Sequence, residues 1–461
     1  MERSVLLCQT YKMKLKLLII TCCCLVFFSC KKIIINAIAK EFVPMLWEDR
    51  AEGIECTSTI SSNTFEREEL SFNTNHMHCI NVTMDISDFD QLRSESRVGP
   101  NIYDNNGQVT TAALLEYVSQ CDVPMPSYYN WYTSNITIDG ITLNNVGIRK
   151  KGFLGSLFSS APSIKINTSK YTDQMIGLTN NITFNNNAED ESRVVQTLNY
   201  KLFELIDYPA PRCNLSNIKV NDEALGTYCH LEAVDQHFLQ QNFGNSNGDL
   251  YEGQLVDFIA EWLPRWEVKN NITDPSRAPI LKISEVLASY EGESLLTELD
   301  KYLNLEHFYT FWAMEIILDH NDGYCRNRNN FFIYFDPNDA DRAIFIPWGL
   351  NYMRPDESDS WSGYVSAELP RKLSSIATSR TALENELNRI MDLIWDENTL
   401  ISMIDEYATL AKTAEHNPNY ETVVTEVKSW FINRKSSIER LINDGIPYGN
   451  LEAATTCYHE E

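Results

Sequence analysis

A change of hydrophobic period partway along the chain constrains its fold more than any other feature. In the first half, apolar residues mostly recur at every second position in short segments joined by polar turns; the second half runs at helical spacing. Ile80 to Ile86 alternates like a half-buried strand, and Ser87-Asp88 caps a short helix running through Leu92. Strands are expected from Ser134 to Ile138 and from Asn145 to Lys150, joined by the Asp139-Gly140 turn, with a third from Ser163 to Asn167. A helix should follow from Ser192 to Leu205, with Val194, Val195, Leu198, Leu202 and Leu205 on one face, and then a hairpin of Leu215 to Val220 with Leu225 to Ala233. Beyond it, helices are expected from Leu295 to Leu318, Ala382 to Trp395, Leu400 to Ala414 and Tyr420 to Ile442. They are interrupted by one strand pair, Asn330 to Phe335 and Ala343 to Pro347. The order implies an α+β fold.

Composition narrows the setting. With 461 residues, 43% of them hydrophobic, the chain can bury a large core. Its formal charge of -26 repels phosphate backbones and anionic lipid, which disfavours nucleic acid as a partner. Lys14 and Lys16 precede an apolar stretch from Leu17 to Phe28, of signal-peptide length and too short for a comfortable membrane span. Residues 1–30 are therefore expected to be an export segment, with Cys30 in the position of a lipoprotein-type anchor. The expectation is a secreted, lumenal or cell-surface protein with no multi-pass membrane region. Residues 31–75 read as a polar lead-in and 446–461 as a tail.

Cysteines 56, 79, 121, 213, 229, 325 and 457 are scattered without a Cys-x-x-Cys pair, against a zinc or thioredoxin-type site. Export would supply an oxidant, and Cys213 with Cys229 is the expected bridge because both flank the Asn221-Asp222 turn. Asn81, Asn135, Asn167, Asn181, Asn214 and Asn271 each open an Asn-x-Ser/Thr sequon and are the glycosylation candidates.

Several segments in order resemble the spore-coat CotH kinase family. They are Val146 to Gly152; Pro209-Ala210-Pro211-Arg212 with Gly226-Thr227-Tyr228 and Glu232; Asp322-Gly323-Tyr324; Asn330 with Tyr334; and Ile346-Pro347-Trp348. The resemblance implies a bilobal, protein-kinase-like fold over residues 76–445, with a sheet-plus-helix lobe followed by a mainly helical one. It also implies ATP, with magnesium or manganese, as cofactor. Phosphoryl transfer needs a cation on the phosphates, a carboxylate to orient the acceptor hydroxyl, and oxygens to hold metal. By the resemblance, Asp322 is the acceptor-orienting base and Asn330 an amide ligand for metal. Lys165 is the preferred phosphate lysine, since flanking Ile164 and Ile166 would turn it toward a cleft, and Lys151 is the other candidate. Glu232 is expected to contact nucleotide.

Two departures bear on activity. Where the family reads Pro-Trp-Asp-x-Asp, this chain reads Pro347-Trp348-Gly349-Leu350-Asn351, leaving Asn351 as a neutral metal candidate. Gln196 falls where a glutamate would ion-pair with the phosphate lysine. Two readings follow: an atypical kinase acting on Ser/Thr of secreted or surface proteins, or a pseudokinase serving as a binding, scaffold or adhesion protein. Either way the partner is an unidentified secreted or cell-surface protein.

Overall fold

The computed structural model describes residues 72–99, 117–118, 120–153, 156, 159–176, 179–270, 276–351, 361–414 and 417–446. The export segment with Cys30, and Cys56, Cys457, Gly155 and Asn271, lie outside these residues. Among the described residues, no helix is long and apolar enough to cross a membrane.

The mixed α+β expectation holds, but the strand-rich part is a closed barrel rather than an open sheet with a helix. Its strands are β1 (His78–Met84), β2 (Tyr132–Ile138), β3 (Ile141–Lys150), β4 (Ile164–Asn167), β5 (Asn181–Asn185), β6 (Cys213–Val220) and β7 (Glu223–Leu231). Their spatial order is β1-β2-β3-β4-β5-β7-β6. Closure comes from parallel pairing of β1 with β6, His78 opposite Ser216, across a long stretch of sequence that strand patterns do not connect. One face of each strand fills the interior: Ile80, Val82, Ile136, Ile148, Ile164, Ile166, Phe184 and Tyr228 share one core cluster. Phe89 and Leu92 of α1 (Ile86–Ser94) join that cluster. The buried Lys150 Nζ donates to the carbonyls of Arg93 (2.7 Å) and Glu95 (2.8 Å), holding the end of α1 to the barrel.

The hairpin of β6 and β7 corrects the disulfide expectation, because Cys213 and Cys229 are both free and buried. An irregularity after Ile218 shifts the register by one, pairing Cys213 with Leu231 and Leu215 with Cys229. The thiols therefore lie diagonally on one face, where backbone spacing of about 7–8 Å exceeds what a disulfide normally spans. Thr197 Oγ1 sits between them, 3.6 Å from the Cys213 sulfur and 3.4 Å from that of Cys229. Disulfides are present instead at Cys79 and Cys121. Among the sequons, Asn81 and Asn135 are exposed. Asn214 is fully buried, its Nδ2 donating to the carbonyls of Asn73 and His76, so a glycan there is incompatible with the fold.

A second sheet, ordered β11-β10-β8-β9, combines β8 (Leu250–Gly253), β9 (Glu267–Val268), β10 (Phe331–Asp336) and β11 (Arg342–Pro347). Around it pack α2 (Val195–Leu205), α3 (Gln236–Phe243), α4 (Ala278–Ser289), α5 (Gly292–Leu299), α6 (Leu305–Ile317) and α7 (Tyr324–Asn327). The chain ends in α8 (Glu368–Ser374), α9 (Ala377–Ile394), α10 (Glu397–Lys412) and α11 (Tyr420–Asp444). Phe345 on β11 anchors this half, its ring against those of Phe308, Phe311, Tyr324 and Phe331 at 5.0–5.5 Å. The single helix expected from Leu295 to Leu318 is two, α5 and α6. Asn304 divides them: its side chain caps α6 by accepting from His307 N at 3.1 Å, while its own N–H bonds to the Ala343 carbonyl.

Candidate functional site

The barrel and the second sheet each contribute a wall. On β4, Ile164 and Ile166 point into the barrel, so strand alternation turns Lys165 outward, paired with Arg149 of β3. Lys151 follows directly on β3, its Nζ 5.9 Å from the centre of the Trp348 ring just beyond β11. Burial pushes both lysines down to about 8, reinforced by neighbouring cations. For Lys151 the main one is Lys165; for Lys165 they are Lys269 and Arg149. Opposing them is Glu252 on β8, which Lys269 contacts at 2.7 Å and Gln254 at 2.6 Å. Burial alone would raise the Glu252 carboxyl, but the Lys269 charge and hydrogen bond, with the Arg97 charge and the Gln254 bond, together outweigh it and hold it low.

The other wall is the loop between α6 and β10. Asp322 lies at its tip, where its carboxylate accepts from the side-chain amides of Asn327, Asn329 (3.2 Å) and Asn330 (2.7 Å). Asn330 also donates to the Asp322 carbonyl at 3.0 Å. Gly323 is required next to it, because a Cβ there would stand 2.2 Å from Glu315 Oε1. The buried Glu315 carboxylate accepts the N–H groups of Tyr324 and Cys325, both at 2.8 Å, fixing the loop from below. Asp319 is tied down by Tyr364, whose hydroxyl donates to it at 2.7 Å. Asp257 anchors the far side of α7: it accepts from Arg328 Nε (2.9 Å), the Tyr324 hydroxyl (2.9 Å), and the N–H groups of Phe258 and Glu368 (2.8 Å each).

The Trp348-Gly349 turn closes the site. Trp348 N–H donates to the Asn330 carbonyl at 3.1 Å, and Gly349 adopts φ +64° with its missing Cβ 2.7 Å from Asn330 Cγ. The Asn330 side chain thus occupies the space a side chain at position 349 would need. Asn351 donates to exposed Glu189 at 3.4 Å, and Asn199 of α2 donates to the Leu350 carbonyl at 3.0 Å.

The structure thus brings Asp322, Asn330 and the Gly349 turn into contact, and sets Lys151 against Trp348 with Lys165 beside it. Two expected partners stand elsewhere. Gln196 makes no hydrogen bond to a lysine: its side-chain oxygen and nitrogen are both buried without a partner among the described residues. The reason is packing, since Val195, Leu198 and Leu202 draw α2 into the main core and carry Gln196 inside with them. Glu232 is committed to Arg212, accepting from Nε at 3.1 Å, from Nη2 at 2.6 Å and from the backbone N–H at 3.0 Å. The acids that act on Lys165 are Glu252 and Asp235. Sequence reading missed Asp235, Glu252, Lys269, Asp257 and Glu189; Asp235 alone carried a signal, as the residue preceding α3. A separate concavity lined by Glu204, Arg212, His307 and Asp336 contains neither Lys151 nor Lys165 and no residue of the Asp322 to Asn330 loop.

The residues fit the two halves of a metal–nucleotide unequally. Two half-buried lysines beside Gly152 suit phosphate oxygens. Magnesium does not fit the loop as built: among the described residues Asp322 is already engaged by three amides, Asp319 is held by the Tyr364 hydroxyl, and Gly349 offers no side-chain oxygen.

The chain is 21% identical over 263 residues to the invasin CotH2 and 20% identical over 246 residues to the invasin CotH3, both of Rhizopus delemar. These alignments cover 50% and 47% of this chain but only 44% and 41% of the relatives, so the chain matches less than half of either one's length. A crystal structure of the Helicobacter pylori proinflammatory kinase CtkA aligns with 63% of this chain and 92% of its own, at 12% identity and a TM-score of 0.31, too slight a likeness to carry an argument. The profile of the family described as CotH kinase protein matches residues 148–438, which contain both lysines, the Asp322 loop and the Trp348 turn. With well over half of its length matched, the chain belongs to the CotH kinase protein family.

Proposed function

We propose that the cleft between barrel and sheet binds the phosphates of a nucleotide through Lys151 and Lys165, and that magnesium-dependent transfer to a Ser/Thr hydroxyl is impaired. One observation carries this reading: three amides already bond the Asp322 carboxylate, and among the described residues no second carboxylate stands beside it where Gly349 turns. With one amide on Oδ1 and two on Oδ2, Asp322 keeps a single open acceptor position, on Oδ1, for an acceptor hydroxyl. On this reading the protein is a kinase-like binder of an exported or surface partner.

A reversion at position 351 is a cleaner test than one at 349. An aspartate at 349 would have to adopt a left-handed backbone and displace Asn330, whereas Asn351 is half-buried beside Glu189. Phosphate transfer from labelled ATP to the chain itself and to acidic substrate proteins is expected to be absent in the wild type and detectable in Asn351→Asp. Wild-type transfer that Asn351→Asp does not increase would remove the impaired-kinase reading.

A second reading, adhesion to a partner, is favoured by the invasin names of the two relatives. It is compatible with an inactive cleft. It places the binding function on surfaces outside the cleft.

A further inference from the structure

Two histidines and an aspartate meet at one end of the barrel, on residues the kinase-like cleft does not use. His76 and His78 are separated by one residue at the start of β1, so an extended chain puts them on the same side. The antiparallel register of β1 and β2, Ile80 opposite Ile138, carries the next residue, Asp139, level with Cys79. There Asp139 opens the β2–β3 turn at φ +48° and exchanges two bonds with Cys79: its N–H donates to the Cys79 carbonyl at 3.0 Å, and its Oδ1 accepts from Cys79 N–H at 2.8 Å. That fixes Oδ2 toward the histidines. It lies 2.6 Å from His78 Nδ1 and 3.0 Å from His76 Nε2, and the three atoms all fall within 4.8 Å of one another.

We propose that His76 Nε2, His78 Nδ1 and Asp139 Oδ2 form a site for one borderline divalent transition metal, zinc(II) being the ion its donors suit. Imidazole nitrogen and carboxylate oxygen are the usual ligands of zinc, cobalt and nickel, whereas magnesium and calcium take all-oxygen sets. Ligands at about 2.0–2.1 Å from a tetrahedral ion stand roughly 3.3 Å apart, so the Asp139–His76 edge opens by about 0.3 Å and the Asp139–His78 edge by about 0.7 Å. The surroundings already hold two of the three ligands in place. Cys79 N–H holds the non-ligating oxygen, and the ring of His230 packs edge-on against His78 at 5.4 Å, with Asn214 Oδ1 3.1 Å from its Nδ1.

Exposure sets the kind of site. The side chains of His78 and Asp139 are 4% and 1% exposed, while that of His76 is 20% exposed, so the fourth position opens to water on the His76 side. Without metal, each nitrogen must donate its N–H to Oδ2. Metal binding replaces those two N–H bonds with N–metal bonds, and each proton moves to the other ring nitrogen or to solvent. The ion would tie the chain before β1 to the β2–β3 turn, where β1 closes the barrel.

The test uses the full chain, stripped with a chelator and titrated with zinc chloride by calorimetry and with cobalt chloride by visible absorption. One equivalent of cobalt(II) should give the intense d–d bands of tetrahedral coordination without a sulfur-to-metal charge-transfer band, and zinc should displace it. His76→Gln, the most peripheral change, should keep the metal-free thermal midpoint, weaken zinc at least about tenfold, and abolish the zinc-induced rise in midpoint seen in the wild type. Asp139→Asn should weaken binding too. The proposal is overturned if the stripped chain binds no stoichiometric zinc, if His76→Gln binds it as the wild type does, or if a sulfur charge-transfer band places the ion on Cys213 and Cys229.

Discussion

Asp257→Ala is expected to destabilise the protein by about 3–5 kcal/mol, read as a fall in denaturant midpoint, because it removes one half of a buried ion pair. Asp257 is fully buried and Arg328 nearly so, and the carboxylate accepts four hydrogen bonds. Alanine would strand the guanidinium and two backbone N–H groups in the core. The comparison that isolates the ion pair is Tyr324→Phe, which deletes one neutral donor to the same carboxylate and should cost less, about 1.5–3 kcal/mol. Equal losses in the two variants would mean that Arg328 finds another partner and that Asp257 is not the anchor. Since Tyr324 and Arg328 lie within the segment from Asp322 to Asn330, Asp257→Ala should also release the candidate catalytic loop.

Replacing Lys151 and Lys165 together by alanine is expected to abolish measurable nucleotide binding. Each charge-assisted bond to phosphate is worth about 1.5–3 kcal/mol, or roughly ten- to a hundredfold in affinity per lysine. The lowered lysines add a pH signature with a fixed sign. Both ammonium groups lose their protons near 8, so affinity for inorganic triphosphate should fall as pH rises from about 7 to about 9, and binding above 8 should take up protons. The linkage to folding runs the other way. A lysine whose folded value lies below its unfolded one is a cost fully present below pH 8 and relieved as pH climbs toward 10.5, so the free protein should gain stability over that window. Affinity independent of pH, or retained in the double variant, would show that these lysines do not hold the phosphates.

Much of the strand order was legible because one face of each barrel strand is apolar: Ile80, Val82, Ile136, Ile148, Ile164 and Ile166 stand at alternate positions. What escaped was short or long-range. Strand β5 is Asn-Ile-Thr-Phe-Asn, too polar at both ends to stand out, and closure of the barrel depends on β1 pairing with β6 far along the chain. The Leu295 to Leu318 helix was read as continuous because both of its parts are apolar at helical spacing, while the Asn304 cap is a single residue. The disulfide expectation failed on register: counted from the Asn221-Asp222 turn alone Cys213 stands opposite His230 and faces away from Cys229, and the irregularity after Ile218 returns both to one face but two positions apart.

In the site, Asp322, Asn330 and Gly349 were legible from the order of the motifs, which the fold brings into contact. Glu252, Lys269 and Asp257 carry no motif and reach the site only through sheet pairing and helix packing. Gln196 misled for the opposite reason. Its position in α2 is the expected one, but burial of the apolar face turned it into the core.

The central claim, that the cleft keeps its phosphate lysines without a magnesium site, is tested most directly by titrating ATP into the wild-type chain with and without magnesium. The account predicts binding that Lys151→Ala/Lys165→Ala abolishes and that magnesium changes by less than about threefold, since one carboxylate already engaged by three amides cannot supply the ligands the ion needs. A rise in affinity of tenfold or more on adding magnesium, lost in Asp322→Asn, would contradict it.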